Sequence, residues 1–428
     1  MADIHELAGM LKELDDQLVG CMRCGMCQAV CPLFAQTGRE ADVARGKISL
    51  LDGLANEIIR NPAGVKERLD RCLLCGTCEA NCPSGVKVLD IFFKARAILT
   101  GYLGLSPAKK AIFRGLLANP KLFNQLLSFG AKFQKLFTKE VNDLLGSSCA
   151  RFQAPIVGDR HFKGLAEKPF HKLVPSLDTP AGKSGLRVAF FPGCVMDKIF
   201  PNVAQSVLKV MEHHGVGVYM PPNQACCGIP ALSSGDTDTF QKLVALNLDV
   251  FSKGNFDYFV TACATCTATI RKLWPRMADR FDSRGQLREI SDKTMDVNQF
   301  LVDVLGVKLD KQTGGGKVVT YHDPCHLKNS FGITSQPRAI LTGLPGYAFK
   351  EMTDAGTCCG CGGSFNLQHY DVSARIGGNK ADNIIASGAE TVATGCPACM
   401  LQITDMLSQK GARCRVRHVM ELYAESLG

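Results

Sequence analysis

Two cysteine runs with one spacing constrain this chain more than any other feature. Cys21, Cys24, Cys27 and Cys31, followed by Pro32, read C-x2-C-x2-C-x3-C-P, and Cys72, Cys75, Cys78 and Cys82, followed by Pro83, repeat it. Each close-spaced trio can converge three thiolates on one cubane, and the fourth cysteine of each run ligates the other cluster. The spacing therefore predicts one 4Fe–4S cluster on Cys21, Cys24, Cys27 and Cys82, and a second on Cys72, Cys75, Cys78 and Cys31. Zinc, which favours two separated C-x2-C pairs closing a tetrahedron, fits such runs poorly. Gly25 and Gly76 lie inside the ligand loops, where a left-handed backbone or a close cluster favours glycine.

The later cysteines form a second repeat, a pattern to seek before any fold is assigned. Cys194 is followed after 31 residues by Cys226-Cys227-Gly228, then after 35 by Cys263-x2-Cys266. Cys325 is followed after 32 residues by Cys358-Cys359-Gly360, then after 36 by Cys396-x2-Cys399. Short apolar runs at 186–191 and 318–321 end just before Cys194 and Cys325, and runs at 258–261 and 391–394 lead into Cys263 and Cys396. Helical patterns follow at 204–214, 264–273, 374–386 and 398–410. Strands alternating with helices predict parallel α/β sheets. Ligands in such sheets gather beyond the carboxyl ends of the strands, which places the cysteines of each copy at one edge.

Composition enters through the cysteine total. Twenty-one cysteines exceed what an ordinary intracellular enzyme needs. Residues 1–10 lack a basic start followed by an apolar stretch, so no secretory signal is expected and the compartment should be reducing. There, cysteine clusters more often bind metal than form disulfides. No apolar run approaches the ~18–20 residues of a membrane span. The net charge of +9 is local: residues 91–139 hold nine basic and no acidic side chains.

At the Cys-Cys-Gly copies the chain resembles the CCG-domain family, which includes heterodisulfide reductases and the iron–sulfur subunits of glycolate, lactate and anaerobic glycerol-3-phosphate dehydrogenases. The order of two ferredoxin-type runs and then two CCG copies spans nearly the whole length. The phrases Phe191-Pro192-Gly193-Cys194-Val195-Met196-Asp197 and Tyr321-His322-Asp323-Pro324-Cys325-His326 look most like the glycolate/lactate branch. Both C-x-x-C pairs are intact, which resembles heterodisulfide reductases instead. The resemblance implies a mixed α/β and helical architecture. Residues 1–100 would form a helical two-cluster ferredoxin-like domain, 101–145 a basic aromatic-rich helical segment and 146–184 a linker. Two α/β CCG repeats with short parallel sheets would follow at 185–312 and 313–428, with Thr313–Lys317 linking them.

It also implies one or two further, non-cubane 4Fe–4S clusters. Cys194, Cys226, Cys227, Cys263 and Cys266 would hold one, and Cys325, Cys358, Cys359, Cys396 and Cys399 the other, with zinc in one copy as the leading alternative. The implied function is electron transfer in a flavin-dependent 2-hydroxyacid dehydrogenase, from an FAD-binding subunit to a quinone or carrier protein. The chain would work in the cytoplasm, with peripheral contact at the inner face of the membrane. Its rival is a heterodisulfide reductase-type subunit that reduces a disulfide at a non-cubane cluster, and a zinc-stabilised scaffold is a third reading.

No dinucleotide or Walker glycine pattern is present, so a hydride-accepting site would belong to a partner. His322 and His326 flank Cys325 and read either as tuning groups for a cluster or as ordinary polar contacts. His213 and His214 suit a helix C-terminus. Cys149 and Cys414 read as small hydrophobes, and Cys361 as a spare ligand, a redox thiol or a bystander. Residues 91–139 interleave Lys94, Arg96, Lys109, Lys110, Arg114, Lys121, Lys132, Lys135 and Lys139 with eight aromatics. Leu122, Leu126, Phe129, Phe133 and Leu136 fall on one helical face. That stripe reads as core packing or as a docking face for membrane or partner, and nucleic acid is not expected.

Overall fold

The computed structural model describes residues 4–152, 158–278, 284–310 and 315–428. Helices dominate the first hundred residues, because short ligand loops cannot bury a core of their own. Leu7, Leu11, Leu51, Leu54, Leu69, Ile91 and Leu99 project from the helices Ile4–Lys12, Ala44–Ala55, Pro62–Asp70 and Val88–Leu103, and all are fully buried. Each such side chain contributes about 1.5–3 kcal/mol of burial, and together they hold the two cysteine loops side by side.

Three small sheets follow among the described residues. Thr138–Asn142 (β1), Ser147–Ala150 (β2) and Phe162–Lys163 (β3) pair antiparallel. Leu177–Asp178 (β4), Arg187–Phe191 (β5), Gly217–Met220 (β6), Tyr258–Thr261 (β7) and Thr294–Asp296 (β8) form a sheet ordered β4-β6-β5-β7-β8. Only the edge strand β4 is antiparallel there. Lys317–His322 (β9), Tyr347–Phe349 (β10), Thr391–Thr394 (β11) and Arg415–His418 (β12) form an all-parallel sheet ordered β10-β9-β11-β12. With β4 set aside the two strand orders are the same, so the cysteine repeat is also a repeat of fold. The register agrees: Phe191 pairs with Thr261 in the first copy as His322 pairs with Thr394 in the second.

The copies share a core. Val203, Val207 and Val210 on the helix Pro201–His213 are buried with Val419 and Leu422 on the last helix, Val419–Ser426. His214, expected only to complement a helix end, bonds the Tyr423 hydroxyl at 2.8 Å. The stretch 146–184, read as a linker, carries β2, β3 and β4 and straps both copies. Phe170 is buried in the shared core, Ser147 Oγ meets Ser408 Oγ at 2.7 Å, and the His161 amide donates to Asp405 at 2.8 Å. Residues 153–157 of that stretch, and 311–314 with the start of the Thr313–Lys317 linker, lie outside the described residues.

The basic segment divides in two. On the helix Val88–Leu103, Phe92, Phe93 and Arg96 point into the core. Arg114 pairs with Asp236 of the first copy at 3.2 Å. On Pro120–Phe137 the sides are reversed: Ala131 and Gln134 face the protein, with Gln134 bonded twice to Leu165 at 2.8 Å. Phe129, Leu136 and Phe137 are 62–65% exposed, and Leu122, Leu126 and Phe133 are exposed with them.

His418 ties β12 to the first copy. Its Nδ1 accepts from the Met420 amide, and Nε2 donates to the Ala262 carbonyl, each at 3.1 Å. Burial pushes this imidazole down to about 4. The unfolded chain binds that proton near 6.5 and the folded chain only near 4, so stability is lost as pH falls between them, by up to about 3 kcal/mol. Denaturant unfolding at pH 7 and pH 5 measures the loss. A His418→Gln variant should show a flatter pH slope, and an unchanged slope would assign the loss elsewhere.

Candidate metal centres

The two ferredoxin-type loops are built alike to the level of the backbone. Arg23 and Gly25 flank Cys24 at φ 55 and 87, and Leu74 and Gly76 flank Cys75 at φ 54 and 75. Left-handed residues on both sides of the middle cysteine coil each loop around a hollow. A left-handed Arg or Leu costs about 1–2 kcal/mol, a strain that ligand bonds would offset. Cys21, Cys24, Cys27, Cys78 and Cys82 line one cavity, open to solvent, that holds ≈ 390 Å³ of empty space. Cys31, Cys72, Cys75 and Cys78 line a second of ≈ 440 Å³. Cys82 thus lies with the first trio, Cys31 with the second, and Cys78 borders both.

Burial, reinforced by neighbouring sulfurs, pushes the Cys31 thiol up to about 12 and the Cys78 thiol well up. Several thiolates can share such pockets only around a cation, as a metal cluster provides. These residues fit 4Fe–4S clusters by ligand number, loop geometry and cavity. Two basic side chains that spacing could not mark stand beside them. Lys47 is fully buried on the second cavity, donating to the Ala41 carbonyl at 3.1 Å. Arg45 lines the first, donating to the Arg23 carbonyl at 3.1 Å.

In both CCG copies the cysteines stand at strand ends and helix starts. Cys194 follows β5 and opens the helix Cys194–Lys198. Cys325 follows β9 and opens Cys325–Phe331. Cys263 and Cys396 cap the helices after β7 and β11 with nearly the same backbone, φ −144 and −145. Gly228 and Gly360 turn the Cys-Cys loops at φ 95 and 89. Asn247 pins the first of these loops, donating to the Cys226 carbonyl at 3.1 Å and accepting from the Ala225 amide at 3.0 Å. At the same place along the second copy's helix stands Lys380, whose buried ammonium donates to the Ala355 carbonyl at 3.2 Å. Burial lowers that ammonium to about 8. Comparing the two helices that follow the CCG loops would have revealed this exchange from sequence.

The thiols within each copy share protons. Cys226, 3.6 Å from Cys194, is held well up by that contact, while hydrogen bonds from Cys226 and Cys266 hold Cys227 well down. Cys359 and Cys396 are likewise held down by their sulfur neighbours. Cys361 is half-buried beside Cys359, which raises its thiol further after burial itself. Cys414 is a buried thiol pushed up to about 12, in keeping with a small hydrophobe.

The four sulfur-lined sites form one series. Cys75 of the second cavity contacts Cys358 of the second copy. His326 binds the Leu74 carbonyl at 3.1 Å and Thr265 at 3.2 Å, and Asn329 donates to the Cys75 carbonyl at 2.8 Å. Cys396 in turn contacts Cys263 of the first copy, with Thr265 Oγ1 3.7 Å from its sulfur. In this series of sulfur sites, the second copy's cysteines stand between those of the second cavity and those of the first copy. His322 differs from its neighbours: it lies within 4.8 Å of the ligand atoms of Cys359 and Cys399, and burial holds its imidazole down to about 3.

Family models match both kinds of cysteine-rich stretch. A cysteine-rich domain model, CCG, matches residues 188–271 and 319–404, and a 4Fe-4S dicluster domain model matches 17–86. The chain is 29% identical to the probable glycolate oxidase iron-sulfur subunit of Bacillus subtilis, covering 100% of this chain and 98% of that one. It is 29% identical to a subunit of the fumarate reductase (CoM/CoB) of Methanothermobacter marburgensis, over 95% of this chain and 72% of the relative. It is 31% identical to lactate utilization protein A of an Exiguobacterium species, over 56% of this chain and 98% of the relative. Among solved structures, a hypothetical protein from Helicobacter pylori matches the fold with a TM-score of 0.53 at 10% identity, over 99% of this chain and 76% of that one.

Proposed function

Because the chain belongs to the CCG cysteine-rich-domain family of iron–sulfur proteins, we propose that it is the electron-transferring subunit of a flavin-dependent 2-hydroxyacid dehydrogenase acting on glycolate or lactate. The observation that carries this reading is the unbroken series of cysteine sites, from the first cavity through the second to the second and then the first CCG copy. Iron–sulfur clusters, when bound, supply one-electron carriers. The chain's own part is to hold the sites in contact, bury most of the CCG sulfurs, and place Lys47, Arg45 and Lys380 beside their sulfurs. A 2-hydroxyacid gives up two electrons together, so an FAD-binding partner is needed to divide them, with a quinone or carrier protein as acceptor. The whole-length relative named as a glycolate oxidase iron-sulfur subunit supports the substrate class.

The second reading, disulfide reduction at a CCG site, is favoured by one observation: all five cysteines are present in both copies. Co-expression with the flavoprotein, followed by glycolate- or lactate-dependent reduction of the clusters, tests the first reading. A reconstituted pair with no cluster reduction rejects it. A paramagnetic signal raised by a thiol substrate in the oxidised chain alone would favour the second.

We propose also that Pro120–Phe137 rests on an anionic lipid surface. No helix among the described residues is long and apolar enough to cross a membrane, but this one turns its large apolar side outward. Lys121, Lys132, Lys135 and Lys139 are exposed around that side, and the helix has no acidic residue. A basic amphipathic helix of this kind lies in the interface, with each lysine contributing about 1 kcal/mol near anionic lipid. The double variant Phe129→Glu/Phe133→Glu should bind phosphatidylglycerol vesicles about tenfold or more weakly, with iron content unchanged. A wild-type chain that fails to sediment with those vesicles at low salt overturns this reading and leaves the face to a protein partner.

A further inference from the structure

We propose that His322 donates a ring nitrogen to iron at the second CCG site, so that the two copies hold different centres: all-sulfur in the first, mixed nitrogen and sulfur in the second. This rests on the reading that the second copy holds an iron–sulfur cluster.

The repeat exposes the difference. His322 ends β9, and the residue in its place at the end of β5 is Phe191, both set by the same pairing with the neighbouring strand. A phenyl ring offers no donor, so the first site is served by its five cysteines. His322 is fully buried, yet neither ring nitrogen has a hydrogen-bond partner among the described residues. Buried polar groups in native proteins are very largely paired, and two other histidines near the sites follow that rule. Both nitrogens of His418 are bonded, as are both of His326. The imidazole, in an interior where the Tyr321 and Thr394 hydroxyls are also unpaired, is open to a different partner.

That partner is positioned. The ligand atoms of His322, Cys359 and Cys399 all lie within 4.8 Å of one another. Nitrogen and sulfur bonded to one metal, at about 2.0–2.1 and 2.3 Å, stand at most about 4.4 Å apart. Metal binding would draw the trio into that range. The surrounding charges agree. Asp323 is already engaged by Arg338 at 2.8 and 2.9 Å, which leaves it unavailable to the imidazole. Lys380 adds a buried cation where the first copy has neutral Asn247. A neutral nitrogen donor and a nearby cation both raise the reduction potential of the centre they serve. The second copy, adjoining the ferredoxin half, is then the more readily reduced of the two.

The test uses the full chain prepared anaerobically with ¹⁵N-labelled histidine, reduced stepwise and followed by pulsed electron paramagnetic resonance. One CCG signal should show a directly bound histidine nitrogen. That coupling should vanish in His322→Phe, with the midpoint potential of the same centre lowered and the other centres unmoved. Should His322→Phe fold poorly, the labelled wild type still answers, and His322→Cys should retain iron while losing the coupling. An iron-replete wild type with no coupling beyond that of a hydrogen bond overturns the proposal. So does a coupling that survives in His322→Phe. Metal analysis separates the two levels: iron-free CCG copies reject the cluster reading as well, whereas iron-replete copies without bound nitrogen reject His322 alone.

Discussion

The Cys75→Ser variant is expected to lose about four irons per chain and to break electron flow between the ferredoxin half and the CCG copies. Cys75 lines the second cavity and touches Cys358, so one sulfur serves both a cluster and its contact with the next site. Losing an outer-shell partner already costs about 10–100-fold in metal affinity, and losing a ligand should exceed that. The same experiment decides how the fourth cysteines pair. Cys31 lies in the cavity of Cys72 and Cys75, and Cys82 in that of Cys21 and Cys24. Cys31→Ser should therefore remove the same signal as Cys75→Ser, and Cys82→Ser the same signal as Cys24→Ser. The opposite pairing of spectra would mean that each run closes its own cluster.

Gly235→Ala should loosen the joint between the ferredoxin half and the first copy. Gly235 has φ +81, and a Cβ there would stand 2.3 Å from the Arg96 carbonyl oxygen and 2.4 Å from Thr100 Oγ1. Around it, Arg96 donates to the Ser233 carbonyl at 2.7 Å and Thr100 to the Ser234 carbonyl at 3.0 Å. Left-handed strain of about 1–2 kcal/mol and overpacking of about 1–3 kcal/mol both oppose the methyl group, for a loss of about 2–5 kcal/mol. Gly101, on the helix that carries Arg96, has nothing within 4 Å of an added Cβ. Gly101→Ala is therefore the control, and should stabilise by up to about 1 kcal/mol through helix propensity. Denaturant unfolding of the two variants measures the difference, and equal midpoints would contradict the close approach at Gly235.

The grouping of the cysteines was legible in the sequence because it is local. The glycines at 25 and 76, the cysteine trios and the strand-then-cysteine phrases all act within a few residues. The repeat could be read because it is spaced along the chain, and the parallel sheets followed from its alternation. The basic segment was legible only as a composition. Whether its aromatic side chains face inward, as at Phe92 and Phe93, or outward, as at Phe129 and Phe137, depends on what packs against each helix. The stretch 146–184 read as a linker for a similar reason: its anchors, Ser408 and Asp405, lie far away in sequence.

The sequence by itself determined which cysteines gather and how many sulfur sites the chain can build, since ligand spacing is set by short loops. Only the tertiary structure decided the order of those sites and the inequality of the two copies. The second copy meets the ferredoxin half through Asn329 and His326, contacts that close over more than two hundred residues of chain. His322 is a candidate donor not because of its neighbours in sequence but because folding buries its ring without a hydrogen-bond partner among the described residues and sets it beside two thiols from elsewhere.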